Sequence, residues 1–459
     1  MVSKQKLKIA IFIDHDIMIR HFIHSNVFSK LSKKHHVDFI FPPQGHKRVS
    51  LDPTPFLKNS RIYRIPENPI GRSIWLRRKH VEIMRGGFNK YARDSRRLYR
   101  LVTPRKVEIF HAILALPLIF EIYKFWTNYM IFKNPNLFLR KLIKKNNYDL
   151  LINPGIPNGI FTNDLLIESK KEKIPFIFIM NSWDNPLFGK IAGGIPDLFL
   201  AWGPQTNQFA KKYMCLPSDK VLDFGAAQFD LYRNKQKISK EKFFENNGLD
   251  LNKRVILYAG GSLGTNEYEH LKLLEKEIAN GNFGNSKILY RPHPWGGGGN
   301  QGDRIFEEKW QHVQIEDTMK KYMEGIKKKG YHLTYPDCTD THVVLSYCDC
   351  IISPLSTILI EAAMHGKPVM CFIPLEDIEA KHFQTVHSLP HFREFQNENQ
   401  VILARSRIEL ISKVKLLFDQ INDKNFPKKM KKISEKYVTN FDSSYADRLL
   451  KLVEEFKLH

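Results

Sequence analysis

Short apolar runs alternate with segments of helical period along most of this chain. Lys8–Ile13 is a β-branched run that ends in Asp14-His15-Asp16, and a helix-like segment follows to about Lys34. Val37–Phe41 reads as a second strand, closed by Pro42-Pro43. From Gln44 to Phe132 the pattern is less regular, basic and aromatic, and predicts helical insertions. Alternation resumes with a strand over Asp149–Asn153, a helix over Asn163–Lys171, and strands over Pro175–Met180 and Leu198–Ala201. A polar stretch from Asp219 to Asn252 lacks strong strand signals. Beyond it, strands are predicted at Val255–Ala259, Lys287–Tyr290, Cys350–Ser353 and Val369–Ile373. The helices between and after them are predicted at Glu267–Ile278, Thr341–Tyr347, Thr357–His365, Arg407–Ile421 and Ala446–Lys457.

Strands bounded by helices at this spacing imply parallel sheets joined by right-handed crossovers. Two such series divide the chain into domains over 1–235 and 236–459, with a last helix able to cross back. The length of 459 residues suits two cores better than one. The expected class is therefore α/β: two Rossmann-like domains with parallel sheets facing a central cleft, and ligands at the carboxyl ends of the strands.

Composition sharpens this picture in three places. The formal charge is +23, and between Arg72 and Lys106 twelve Lys/Arg stand against Glu82 and Asp94. Such a patch fits an anionic membrane surface, an anionic glycan or a merely solvated face; no nucleic-acid motif accompanies it. The five cysteines form no CxxC pair, and Cys348 and Cys350 open an apolar run, which reads as buried thiols in a reduced, cytoplasmic protein. The N-terminal apolar stretch Ile9–Ile13 is too short for a signal peptide. The apolar segment His111–Phe132 carries Pro117, Glu121 and Lys124, which excludes a spanning helix. It reads as a core helix in preference to an interfacial one, although Phe120, Tyr123, Phe125, Trp126 and Tyr129 suit an interface.

Three loops of the second domain each follow a strand. In Gly260-Gly261-Ser262 the glycines allow backbone amides to approach a phosphate, but the spacing matches neither a Walker loop nor a dinucleotide fingerprint, and a tight turn explains it equally well. In Arg291-Pro292-His293-Pro294 two prolines stiffen two donors suited to phosphate oxygens. In the third, Ser353 ends a strand, Ser356 or Thr357 opens a helix, and Glu361 stands one turn in, where a carboxylate can accept ribose hydroxyls; plain capping and a solvated charge are the simpler explanations. Together the loops predict a nucleotide phosphate site.

The segments RPHP and SPLSTILIEAAMHGKPV resemble the donor half of GT-B glycosyltransferases of bacterial surface polysaccharides. The histidine-proline and serine/threonine motifs are similar to those of sialyltransferases, Kdo transferases and CDP-glycerol glycerophosphotransferases. The resemblance implies that His293, Ser356 and Thr357 contact the donor phosphate and that Glu361 binds ribose. It also implies a metal-independent enzyme without a cofactor. The tail from Tyr437 to Val453 resembles the closing helix of that group, and Asn181-Ser182-Trp183-Asp184-Asn185 resembles a segment of uncharacterised relatives. The likeness is clear over Arg254–Val453 and diffuse before it.

An inverting transferase needs a base for the acceptor hydroxyl. Asp16 and Asp14, then His15, are the candidates because they follow the first strand; a helix N-cap explains them as well, and Asp184 and Glu267 stand in reserve. The expected function is transfer of a sugar from a CMP- or UDP-linked donor to a bacterial surface glycan or lipid-linked acceptor at the inner membrane. The alternatives are CDP-alditol phosphotransfer, sugar-nucleotide 2-epimerisation, or a non-catalytic assembly protein of the same fold.

Overall fold

The computed structural model describes residues 6–57, 60–85, 96, 103–189, 191–261, 265–294, 302–329, 337–376 and 379–456. The chain divides into two compact units, Met1–Asp230 with Val438–His459, and Leu231–Tyr437.

The first unit is built on seven strands: β1 (Lys8–Phe12), β2 (His36–Phe41), β3 (Arg61–Arg64), β4 (Leu150–Gly155), β5 (Phe176–Met180), β6 (Leu198–Ala201) and β7 (Val221–Asp223). Their order is β3-β2-β1-β4-β5-β6-β7, with every pairing parallel. Every residue of β4 and β5 is buried, which is why these strands read as unbroken apolar runs. The edge strand β3 is short and half-polar, and Arg61 Nε donates to Asp38 of β2 at 2.8 Å. The C-terminal helix Tyr445–Phe456 belongs to this unit, packing on the helix Ser29–Lys34 through ion pairs Lys30–Asp447 and Lys34–Glu454. The approach of the returning tail requires a glycine at 225: its φ is +81°, and a Cβ there would lie 3.1 Å from the Thr439 carbonyl.

Between β3 and β4 lie the helices Pro69–Arg85, Arg105–Leu114, Pro117–Lys133 and Leu137–Asn146. Here the structure corrects the reading of His111–Phe132 as core. Within Pro117–Lys133 only Phe120, Thr127 and Ile131 are buried, packed toward the helix Pro69–Arg85, whose Val81, Met84, Ile74 and Trp75 receive the hairpin. The segment is apolar around much of its circumference, so its composition mimics a core helix, yet among the described residues most of its side chains remain exposed or half-exposed. Much of the basic Arg72–Lys106 stretch, residues 86–95 and 97–102, lies outside the described residues.

The second unit carries β8 (Arg254–Ala259), β9 (Ser286–Arg291), β10 (Val313–Ile315), β11 (Cys350–Ser353), β12 (Val369–Phe372) and β13 (Val401–Ala404). The order is β10-β9-β8-β11-β12-β13, again all parallel. Ile256, Ile288, Ile352 and Phe372 pack with Leu271, Leu274, Leu410 and Leu417 of the flanking helices into one core. Cys348, Cys350 and Cys371 are buried free thiols, and burial raises the Cys348 thiol to about 11.

Each sheet reverses its strand order once, between β1 and β4 in the first unit and between β8 and β11 in the second. At such a reversal the connections leave in opposite directions and open a crevice at the strand ends.

Candidate functional site

At the β8–β11 reversal the predicted glycine loop is tied into the protein. The Gly260 amide donates to the Arg291 carbonyl at 2.9 Å, and the Gly261 amide to Glu267 Oε1 at 2.8 Å. A Cβ on Gly260 would stand 2.5 Å from Glu267 Oε2, and one on Gly261 would stand 2.9 Å from Pro354 Cγ. The two glycines therefore serve close packing, and their amides are engaged within the loop; Ser262 lies outside the described residues. Ser353 is fully buried, its hydroxyl donating to the Ala259 carbonyl at 2.8 Å and thereby joining the ends of β8 and β11.

Glu267 is the buried anchor of this corner. It accepts from Gly261, from Thr265 Oγ1 at 2.9 Å and from the Tyr290 hydroxyl at 2.6 Å. Beside it His270 bridges the Tyr258 hydroxyl at 2.7 Å and Glu379 at 2.9 Å. Burial raises the Glu267 carboxyl to about 7, against the pull of Tyr290, Thr265 and Gly261. A carboxyl raised in the folded state contributes stability that is present below its unfolded range and lost as pH rises through the folded value. Between pH ~4.5 and ~7 the native protein should therefore lose on the order of 3 kcal/mol through this group. Denaturant titrations across that window should show the loss in the wild type and a flatter profile in Glu267→Gln; parallel profiles would remove Glu267 as the cause.

Arg291 and His293 leave β9 differently. Arg291 is buried and donates to Glu316 Oε2 at 2.5 Å and to Thr341 Oγ1 at 3.1 Å. It is thus committed inside the unit. His293, two residues on, is half-buried. After β11, Ser356 and Thr357 form the first turn of the helix Ile358–Met364, and Thr357 makes no side-chain capping bond. Glu361 accepts the hydroxyl of Tyr232.

That tyrosine belongs to a cluster the sequence did not reveal. Its ring stacks on His342 with centroids 5.2 Å apart, and His342 Nδ1 lies 2.8 Å from His365 Nε2. The far nitrogens face backbone carbonyls, His342 Nε2 at Asn234 and His365 Nδ1 at Glu361. Burial lowers His365 to about 3, so it is neutral near pH 7. The spacing of Glu361 and His365 by four residues was legible, whereas Tyr232 and His342 join them only through the tertiary fold.

In the first unit the residues after β1 each have a structural partner. His15 caps the helix behind it, its Nδ1 accepting from the Ile17 amide at 3.1 Å. Burial, aided by Arg48, lowers the His15 imidazole against the opposing charges of Asp14 and Asp16. With Nδ1 occupied as acceptor, neutral His15 carries its proton on Nε2 and is a donor. Asp16 accepts four bonds from residues 50 and 51: the Ser50 amide to both oxygens, the Ser50 hydroxyl at 2.5 Å and the Leu51 amide at 2.9 Å. Asp14 is fully buried; Oδ2 accepts the Ile160 amide at 2.5 Å, and Oδ1 has no hydrogen-bond partner among the described residues. The same loop contributes Pro157, Gly159 and Ile160 to a recess also lined by Trp75, Lys79 and Asn163.

The segment Asn181–Asn185 after β5 is braced from several sides. Asn185 Oδ1 accepts the amides of Asn181 and Ser182 at 2.9 and 3.1 Å, and Trp183 Nε1 donates to Gln205 at 2.6 Å. Asn181 Oδ1 meets Nδ1 of buried His21 at 3.0 Å, tying the loop to a π-helical turn at Ile19–Ile23. Ser182 and Asp184 alone in the segment are half-exposed, with Ser182 Oγ 2.5 Å from Asp184 Oδ1. Burial raises the Asp184 carboxyl, and burial lowers the Lys79 ammonium to about 8 despite the opposing charge of Asp184. Burial moves both groups toward neutrality, and the charge of each opposes the shift of the other. Among the described residues no group of three or more His, Cys, Asp or Glu is placed to hold a metal ion.

No protein-family model matches the sequence, and no curated protein matches it either. The fold does have solved counterparts. A glycosyltransferase from Rickettsia africae is 13% identical, with 98% of this chain and 99% of that one aligned at a TM-score of 0.52. A putative UDP-N-acetylglucosamine 2-epimerase from Listeria monocytogenes is 12% identical, with 99% and 97% aligned at 0.56. The UDP-N-acetylglucosamine 2-epimerase from Neisseria meningitidis, solved with UDP-N-acetylglucosamine bound, is 12% identical, with 98% and 100% aligned at 0.52. Both units thus have counterparts in the two-domain GT-B architecture expected from the sequence.

Proposed function

We propose that this chain is a nucleotide-sugar enzyme that binds its substrate at the β8–β11 reversal of the second unit. The observation that carries the reading is that the loops holding Gly261, His293 and Ser356 leave three adjacent interior strands, β8, β9 and β11, at their carboxyl ends. With the amides of Gly260 and Gly261 engaged and Arg291 paired to Glu316, the phosphate contacts fall to His293 and to the hydroxyls of Ser356 and Thr357. Glu361, presented beside the stacked Tyr232 and His342 rings, is then the ribose acceptor.

Two reactions remain in view. The similarity to two 2-epimerases favours inversion at the sugar's C2, in which a C2–H bond breaks and re-forms on the opposite face. The outward apolar face of the helix Pro117–Lys133 favours transfer to a lipid-linked or surface glycan at the inner membrane, since a purely soluble isomerisation has no use for it. In transfer the bond from the anomeric carbon to phosphate oxygen breaks, the acceptor oxygen bonds to that carbon, its proton goes to a base, and the nucleotide leaves.

A thermal-shift panel of CMP, CDP, UDP, GDP and their sugars should find a ligand that stabilises by about 2.7 kcal/mol at one hundred times its dissociation constant. His293→Ala should weaken that ligand about tenfold or more. In D2O without an acceptor, epimerisation should place deuterium at C2 of the bound nucleotide sugar, whereas transfer should leave C2–H intact and release nucleotide only when a glycan acceptor is added. A panel with no stabilising nucleotide would end the proposal.

A further inference from the structure

Of the twenty-one large apolar side chains exposed among the described residues, twelve fall between Val107 and Phe132. Such clustering distinguishes a patch from the scattered exposed leucines normal on any protein. Leu118, Ile122, Phe125, Tyr129 and Phe132 recur at helical spacing along the outward side of Pro117–Lys133, with Trp126 beside them, and Leu118, Phe125 and Phe132 are 83, 77 and 79% exposed. The preceding helix Arg105–Leu114 exposes Phe110 and Ile113 in the same way.

We propose that these two helices form a membrane-docking hairpin that lies in the interface of an anionic bilayer. Among the described residues no single helix is long and apolar enough to cross a membrane, and the pair is bent by 92° at its break, so it suits lying along a surface. Trp126 and Tyr129 provide the ring types that settle at headgroup depth. The underside is held by the helix Pro69–Arg85, where the Arg85 guanidinium sits 4.3 Å from the centre of the Phe120 ring. The occupant is chosen by charge. The two helices carry Arg105, Lys106, Lys124 and Lys133 against Glu108 and Glu121, so a second copy would bring like charges together while an anionic lipid surface would neutralise them. This inference extends the apolar-face argument for transfer at a membrane, and its test does not require the nucleotide-site reading.

Vesicle flotation tests it with the full-length protein. Phosphatidylcholine mixed with phosphatidylglycerol should carry the wild type upward, and phosphatidylcholine alone should carry much less. Leu118→Glu with Phe125→Glu should reduce partitioning about tenfold or more per side chain. Both positions are exposed, so the melting temperature and the nucleotide-induced shift should be unchanged, which separates failure here from failure of the nucleotide-site reading. The inference falls if the wild type stays at the bottom with anionic vesicles, or if the double variant floats equally well. It also falls if the protein is a dimer in solution that these substitutions dissociate without affecting flotation.

Discussion

Replacing Arg291 by methionine should lower the unfolding free energy by about 3–5 kcal/mol, because it strands a carboxylate in the interior. Glu316 is 2% exposed in its side chain and Arg291 7%, so neither charge can turn to water when the other is removed. The loss should sit toward the low end, since Glu316 also accepts the Thr318 hydroxyl and the Thr318 and Met319 amides, which leaves it partly satisfied. Adding Glu316→Gln should restore part of the loss by removing the stranded charge. Urea titration of the single and double variants measures both effects. A wild-type midpoint in Arg291→Met, accompanied by lost nucleotide affinity, would instead make Arg291 a phosphate ligand and contradict the buried pairing.

Arg291 also shows where the sequence was legible and where it stopped being so. The predicted strands β1, β2, β4, β5, β6, β8, β9, β11 and β12 are all present, and the four that the pattern missed, β3, β7, β10 and β13, are the outer strands of the two sheets. The interior strands are covered on both faces and are written as apolar runs. The outer ones are three or four residues long, and β3, β7 and β10 are only partly buried, so their hydrophobic signal is too short to stand above that of a loop. The apolar helix Pro117–Lys133 shows the opposite failure, where a strong signal suggested core and the outward face turned out to be uncovered.

The loops were legible in position but not in commitment. Strand ends and glycines are local features, so Gly260, Arg291 and Ser353 could be found by their neighbours in sequence. What each atom does depends on partners far along the chain: Arg291 on Glu316 and Thr341, Ser353 on Ala259, Glu267 on Tyr290, and Asp16 on Ser50 and Leu51. A close-approach glycine and a phosphate-binding glycine look identical until the acceptor of the amide is known. Asp16 and Asp184 are likewise both acids behind a strand, yet Asp16 accepts four bonds from residues 50 and 51, whereas Asp184 accepts the Ser182 hydroxyl within its own loop.

That contrast yields the second large effect. Asp184→Asn should reduce turnover by about 10²–10⁴-fold while leaving the nucleotide-induced thermal shift unchanged, as expected for loss of a general base. If Asp184 is that base, burial of its carboxyl places the acid limb of the wild-type rate profile above the ordinary carboxylate range, because a base is lost as pH falls through its own folded value. Asp16→Asn should behave differently: it weakens the bonds that hold residues 50 and 51, so stability falls and any loss of rate tracks the unfolded fraction. Asp14→Asn resembles Asp16→Asn if Asp14 serves only the Ile160 amide, whereas its Oδ1, without a partner among the described residues, makes it the base if the Pro157–Ile160 loop admits substrate. Rates and melting temperatures for the three variants, measured with the nucleotide sugar that gives the thermal shift, separate these cases. Full turnover in Asp184→Asn, with a loss confined to a stable Asp14→Asn, would move the base from the end of β5 to the end of β1.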